Sequence, residues 1–390
     1  MTAADQRPLP RGLALASLAC AYAVATSGTI LMPLIVAMLM RRFAIGEDLA
    51  TGVAGIEILG VALACALLPH RIARAPRRFA AAGAVGAVLA QAAGAWLPSL
   101  AAVGLARGVA GLCEGALFVV VASSLSHGAA AERAWGGVIL GAGMLDGALL
   151  LGASSLPPAW ADRWLFVVFA AAFALLAWPS ARAGSVAAGV APARPGERLR
   201  WRTLLPIWTL LILAYGVLAA QWAVADVVGQ RLGLAPATSG LLLSLASVLG
   251  IAGCGVAAHP LSHAWRQPIV VVALAVMAAS ALGFFVARDE LGFFAAQLVI
   301  TLAFYALTPM LTARLSALDS DGALVARSVV VCFVSVALGT VLAGSLLARL
   351  GSLGLGLLLA LCACAAIPFT RAALTDLAPP IFHPPATDLP

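Results

Sequence analysis

The feature that most constrains this chain is a succession of apolar runs, most of them close to 20 residues long, cut by short charged or Pro/Gly-rich breaks. An α-helix rises about 1.5 Å per residue, so roughly 20 apolar residues cross the ~30 Å hydrocarbon core of a bilayer. Six such segments are expected near 13–39, 49–69, 79–97, 99–125, 134–156 and 164–180. Six more are expected near 204–226, 237–258, 268–287, 291–313, 326–347 and 352–370. Lipid offers no water to backbone N–H and C=O groups, so each span must be helical. The fold class is therefore an all-α polytopic membrane protein of twelve transmembrane helices, with the lipid bilayer as a partner. Composition agrees. Of 390 residues 63% are apolar and 10% charged, against roughly half and a quarter in soluble domains.

The longest break between segments runs from 181 to 203. It carries Arg182, Arg194, Arg198, Arg200 and Arg202 together with Pro192 and Pro195, the composition of a flexible linker. The chain thus divides into a six-helix bundle over 1–180, a central loop over 181–203, a second six-helix bundle over 204–374, and a proline-rich tail over 375–390 expected to be disordered.

The net charge of +7 comes from 23 basic and 16 acidic residues, and every basic residue is arginine. The arginines sit mostly in short loops between spans. That is the pattern of membrane topology rather than of nucleic-acid binding, so no nucleic-acid partner is expected. With both termini inside, sixteen arginines fall on the inner side, six on the outer side, and Arg107 within a span. Lys/Arg-rich loops stay cytoplasmic, which places both termini in the cytoplasm of a bacterial-type inner (plasma) membrane. The Arg41–Arg42 pair runs against the rule.

No Walker loop, dinucleotide-binding glycine fingerprint or nucleophile elbow is found, and no nucleophile–base pair presents itself. An enzyme, an ATP-driven pump and a cofactor are not expected. The seven cysteines lie inside apolar runs and read as small hydrophobes. His259 and His263 are four apart, but Pro260 intervenes and no third ligand is near, so no metal is expected.

Charged residues inside spans carry the functional information, since each costs about 2.5–3.5 kcal/mol at a helix centre on insertion scales. Four stand out: Glu57 in segment two, Arg107 and Glu114 in segment four, and Asp146 in segment five. Arg107 and Glu114 are two helical turns apart on one face, a rise of roughly 10 Å that forbids direct contact. Glu57 lies at a depth like that of Arg107. Two readings stand for this set. In one it is a proton relay, in which an arginine that stays protonated changes carboxylate partners as the bundle moves. In the other it is an ion pair that fixes helix packing. Arg107 is also a candidate to hold an anionic substrate. Candidates for substrate contact are Tyr22, Tyr215, Trp222, Phe304, Tyr305 and Phe333, with Gln221, Gln297, Thr301 and Thr308 as polar handles. Each could equally be core packing. Trp96, Trp160, Trp164 and Trp201 read as interfacial belt residues, and Pro33 and Pro309 as kink sites. Glycines at 104, 108, 111 and 115, and a similar run in segment five, favour close helix packing.

The halves resemble each other. A shift of 194 carries Arg133 to Arg327, and also takes Arg107, Glu114 and Asp146 to Thr301, Thr308 and Thr340. Six-plus-six repeats are an architecture of secondary carriers with a midplane site.

On these residues the chain resembles the major facilitator superfamily across essentially its whole length. Arg107-Gly108-Val109-Ala110-Gly111 is similar to that family's arginine–glycine motif, whose arginine is implicated in proton transfer. Ala110 stands where glutamine is common, and Glu114 lies outside the pattern. The loop from Ala66 to Arg74 resembles the family's characteristic loop in outline. It has His70 in place of aspartate, and Ala66 and Ala73 in place of glycines. Gly137, Gly141, Gly143 and Gly147 give the small-residue skeleton of the antiporter motif in segment five, with Asp146 intruding. The resemblance implies a monomeric secondary carrier of a small organic molecule. It would be proton-coupled through Glu114, Arg107, Asp146 and Glu57 and would work by alternating access, with export favoured. An uptake symporter of the same fold, or a membrane sensor that binds without transporting, are the alternatives.

Overall fold

The computed structural model describes residues 11–125, 131–157, 163–187, 201–259, 264–318 and 323–374. In the first half, helices α1 (Arg11–Ile30) and α2 (Met32–Phe43) make one broken span, followed by α3 (Glu47–Leu67) and a short α4 (Pro69–Arg74). Then come α5 (Pro76–Trp96), α6 (Leu100–Leu125), α7 (Ala131–Ser154) and α8 (Trp164–Ala187). The second half opens with α9 (Trp201–Ala223) and its continuation α10 (Ala225–Arg231). Next is α11 (Pro236–Gly250), which runs through a 3-10 turn (Ile251–Gly253) into α12 (Cys254–Ala258). It closes with α13 (Arg266–Val286), α14 (Glu290–Leu318), α15 (Ala323–Ala366) and α16 (Phe369–Leu374).

Among the described residues eleven helical stretches are long and apolar enough to cross a membrane. The last of them, Arg327–Ala366, has 40 residues, and a straight helix of that length would span about 60 Å, twice the hydrocarbon core. Its backbone breaks at Gly351, with φ 69 and ψ 178, a conformation that glycine adopts without steric cost. Before the break Gly344 abuts the Glu47 backbone of α3; after it Gly356 abuts Phe285 of α13. The stretch is thus two passes joined at Gly351, and the expected twelve spans are present. Helix α8 continues to Ala187, seven residues past the boundary expected at 180. Residues 188–200 of the central loop and the tail expected to be disordered lie outside the described residues, as do His127, His263, Trp160 and the side chain of Trp201.

α8 ends and α9 begins at one face, here the linker face; α2 and α3 meet at the opposite, far face. Arg42, whose place outside the positive loops was anomalous, has a local use. Its guanidinium donates to the carbonyls of Gly94 and Leu97 at 2.7 Å and of Ala95 at 3.1 Å. Those are orphan carbonyls at the C-terminus of α5, where a cation is favoured.

The halves touch where α3 meets the first pass of α15 and where α7 meets α11. Bonds between halves gather toward the far face. Arg231 Nη2 lies 2.8 Å from Glu47 Oε1, and Ser244 Oγ donates to the Gly147 carbonyl at 2.7 Å. The break between α1 and α2 supplies another. Pro33 has no N–H to give the Thr29 carbonyl four residues earlier. The indole N–H of Trp222 fills that place, 3.0 Å from the Thr29 carbonyl and 3.1 Å from that of Ile30. One apolar cluster runs across both halves here, from Leu31 and Ile35 through Leu150 to Trp222 and Leu243. The halves are thus joined toward the far face.

Candidate functional site

The chemistry begins with how close α3 and α6 come. A Cβ on Gly111 would collide with the Glu57 carbonyl, one on Gly115 with that of Val61, and one on Gly60 with that of Gly108. The expected small-residue face of segment four is therefore a backbone contact. That contact brings Glu57 against Arg107, which form a buried ion pair, 0% and 1% exposed as residues.

Gln91 of α5 completes the pair. Arg107 Nη1 donates to Gln91 Oε1 at 2.9 Å, and Gln91 Nε2 donates to Glu57 Oε1 at 3.3 Å. The ring of Phe166 lies under the guanidinium, 5.7 Å from its centroid, a favourable place for a cation. The Glu57 carboxyl is seated over Gly28 of α1, where a Cβ would stand 2.6 Å from it. Gln91 escaped the sequence reading because it carries no charge. Its signal was an amide standing alone in an apolar segment, and such a group needs a partner in lipid.

Glu114, two turns along α6 toward the linker face, is 0% exposed and neither of its carboxyl oxygens has a hydrogen-bond partner. The expected separation from Arg107 holds, and the ion pair of Arg107 is with Glu57. The Gln91 amide is also near, yet already engaged by Glu57. Asp146 of α7 is 4% exposed. Its Oδ2 lies 3.1 Å from the Thr26 hydroxyl, which is also 2.9 Å from the Tyr22 carbonyl. All four charged candidates therefore lie within the first half, and three of its polar side chains (Gln91, Thr26 and Asp146) come from different helices.

The aromatic candidates converge from both halves. Tyr22 packs on Phe118 and Trp135 with centroids 5.6 and 5.9 Å apart, and Phe118 meets Phe333 of the second half edge-on at 5.0 Å. Phe304 touches Tyr215 at 4.8 Å and Tyr305 at 5.5 Å. Each of these tyrosines is half-buried. Phe118 and Trp135 were not picked out from the sequence, where nothing separates them from ordinary core aromatics. Trp222 is brought to the far-face clasp described above rather than to this group.

The second half answers the ionic group with neutral polar atoms. Gln221 Nε2 donates to Gln297 Oε1 at 3.0 Å, and Gln297 Nε2 reaches Thr301 Oγ1 at 3.3 Å. The hydroxyls of Thr301 and Thr308 turn back onto their own helix, donating to the carbonyls of Gln297 and Phe304. Thr301 is the residue that a shift of 194 equates with Arg107, and it joins a bonded chain as Arg107 does.

No family model matches this sequence, and no curated protein does. Solved structures do match. A D-xylose–proton symporter is 14% identical, with 93% of this chain and 99% of that chain covered and a TM-score of 0.68. XylE, a xylose transporter from E. coli in a partially occluded inward open conformation, is 12% identical over 93% of this chain and 99% of its own, with a TM-score of 0.70. The human organic anion transporter MFSD10 is 16% identical over 93% and 100%, with a TM-score of 0.68. The chain has the major facilitator fold. At this identity the likeness concerns architecture, and no residue role passes with it. Among the described residues no group of three or more His, Cys, Asp or Glu is placed to hold a metal.

Proposed function

We propose that the chain is a secondary carrier that moves a small organic molecule across the membrane by alternating access of its two halves, driven by protons. One observation carries the coupling. A fully buried carboxyl, Glu114, has no hydrogen-bond partner and stands beside a buried Glu57–Arg107–Gln91 group. An unpaired charge in such surroundings is costly, and a bound proton removes it. Arg107 has one carboxylate in hand and a second two turns away on its own helix. Movement of α6 against α3 would loosen the Arg107–Glu57 pair, and a proton taken up at Glu57 or released from Glu114 would offset the change in buried charge. Asp146 of α7, bonded to the Thr26 hydroxyl of α1, is a further buried carboxyl in the same half.

The hydrogen bonds and the ion pair between the halves lie toward the far face, which supports access to this conformation from the linker face. The arginine distribution supports a cytoplasmic linker face. D-xylose–proton symport and organic anion transport belong to those neighbours; export is the direction we assign to this chain.

The test is a growth screen in a bacterial host lacking its own efflux pumps, against a panel of toxic small molecules, with Glu114→Gln alongside. Resistance that the variant loses marks proton-driven export. New sensitivity that the variant loses marks uptake. Transport that Glu114→Gln leaves at full rate sinks the relay.

A further inference from the structure

At the linker face, where α3 hands over to α5 through the short helix α4, the first half gathers positive charge. Arg71 and Arg74 lie on α4, and Arg77 and Arg78 open α5. All four are exposed. Among the described residues none of them makes an ion pair or a ring contact, and no aspartate or glutamate occurs from 58 to 113. The buried side chain of α4 is Ile72, 1% exposed. It pins the helix to the bundle and leaves both arginines of α4 outside.

Neither topology nor helix stability calls for four arginines here. The matching junction of the second half, from α12 into α13, has one, Arg266. Arg77 and Arg78 occupy the first turn of α5, where the helix dipole disfavours a cation. Four guanidinium groups within eight residues also repel one another unless an anion comes from outside.

The bilayer fixes the depth at which that anion stands. On α5, Arg78, Ala82, Val85, Leu89, Ala93 and Trp96 are all exposed, each three or four residues after the last, so they form one stripe. Between its ends the stripe is apolar and faces lipid tails. The indole of Trp96, 69% exposed, marks the interface on the far side, where tryptophan is favoured. Arg78 is eighteen residues earlier, about 27 Å along the helix and close to the ~30 Å of the hydrocarbon core. Its guanidinium thus stands at the level of the phosphate layer on the linker side, with Arg77 beside it and α4 immediately before.

We propose that Arg71, Arg74, Arg77 and Arg78 bind the phosphate groups of anionic phospholipids in the leaflet at the linker face. A guanidinium offers a phosphate two parallel N–H donors. Each basic residue near an anionic membrane surface strengthens association by about fivefold. A soluble polyanion would have to displace headgroups to reach side chains at this depth. The site is independent of what the carrier moves and in which direction.

The test uses purified full-length protein in bilayer discs of phosphatidylcholine doped with phosphatidylglycerol, one lipid or the other spin-labelled on its acyl chain. Electron spin resonance divides the labelled lipid into a mobile fraction and a fraction held at the protein surface, and so reads the preference for the anionic lipid. A severalfold preference for phosphatidylglycerol is expected. Changing the four residues together to glutamine (R71Q, R74Q, R77Q and R78Q) should remove most of it, and changing them to lysine should keep at least half. A second set, R194Q, R198Q, R200Q and R202Q, takes as much charge from the central loop and should cost less than half as much. Each variant should elute as a single species with the wild-type melting temperature. No preference for phosphatidylglycerol, a glutamine variant that retains it, a lysine variant no better than the glutamine one, or equal losses from the two sets overturns the site. So does a preference erased by inorganic phosphate at constant ionic strength, which would assign the arginines to a free anion.

Discussion

The two halves share an architecture and differ in what holds their cores together at matched depth. In the first half α3, α5 and α6 enclose an ionic group, Glu57, Arg107 and Gln91. In the second, α9 and α14 enclose a neutral one, Gln221, Gln297 and Thr301. Both pair buried polar groups with one another, as lipid requires, and each keeps one buried atom without a hydrogen-bond partner, Arg107 Nε and Gln221 Oε1. They differ in what a single loss does. An amide left alone loses a hydrogen bond; a charge left alone in a low-dielectric interior has nothing to offset its desolvation. A protein that needed only packing would be served equally well by the neutral arrangement. The ionic one has a second state available to it, because a carboxylate can take a proton and release its partner. The contrast teaches that the first half is where a proton can change the structure, and the second half is the frame against which it changes.

The sharpest way to break that comparison is to remove one partner on each side. Arg107→Leu should leave Glu57 buried and unpaired, at a cost of about 3–5 kcal/mol. Glu57→Gln combined with Arg107→Leu should recover a good part of the loss. Thermal unfolding in detergent reads both. A single variant no worse than the double would mean that the pair is not energetically coupled, and the ionic half would then be no different in kind from the neutral one.

Close packing gives the next effect in size. Gly111 on α6 has the Glu57 carbonyl where its Cβ would be, and Gly253 in the second half has that of Leu302. Both obstacles are backbone, which cannot rotate away. Gly111→Ala and Gly253→Ala should each destabilise by about 1–3 kcal/mol through forced helix displacement. Gly111→Ala should in addition disturb Arg107 and so reduce transport more than Gly253→Ala does at equal loss of melting temperature. Equal losses of activity would put the two contacts on the same footing.

The pattern of what could be read beforehand follows the same physics. Twelve spans and their division into two sixes were legible, because length in lipid is set by bilayer thickness and little else. Glu57, Arg107, Glu114 and Asp146 were legible as residues, because a charge in an apolar run has no cheap reason to be there. Their pairing was half legible. Equal depth pointed Glu57 at Arg107, but the contact depends on glycines bringing α3 onto α6, and which faces meet is a tertiary fact. Gln91 was missed because an amide costs less than a charge and is easily passed over. The use of Trp222 was not legible at all. It follows from a carbonyl freed by Pro33 in the other half, nearly two hundred residues away in sequence. Arg41–Arg42 showed as an exception to the topology rule, and the exception has a cause at Arg42, which caps α5.

The neutral half should respond more mildly than the ionic one. Gln297→Leu leaves Gln221 with an unsatisfied amide, worth about 1–3 kcal/mol. Gln221→Leu with Gln297→Leu removes both partners together and should lie nearer to wild type. Growth-based transport should survive the double variant. Loss of transport in a stably folded double variant would show that the second half takes part in coupling.

The smallest effect on stability is expected at the far face, and it separates holding the fold from holding a conformation. Arg231 is 45% exposed and Glu47 16%, so their ion pair is worth about 0–1 kcal/mol and is screened by salt. Glu47→Gln should hardly move the melting temperature. The pair nevertheless bridges the halves at the face that must part for access from that side, and an equilibrium between two conformations shifts by as much as their difference in interaction energy. A loss of about 0.7 kcal/mol would change the ratio of closed to open molecules roughly threefold. Spin labels at positions 46 and 232 would read it as growth of a longer-distance population in Glu47→Gln, reproduced in wild type by high salt. An unchanged distance distribution would show that Trp222, Ser244 and the shared apolar cluster hold this face shut without the ion pair.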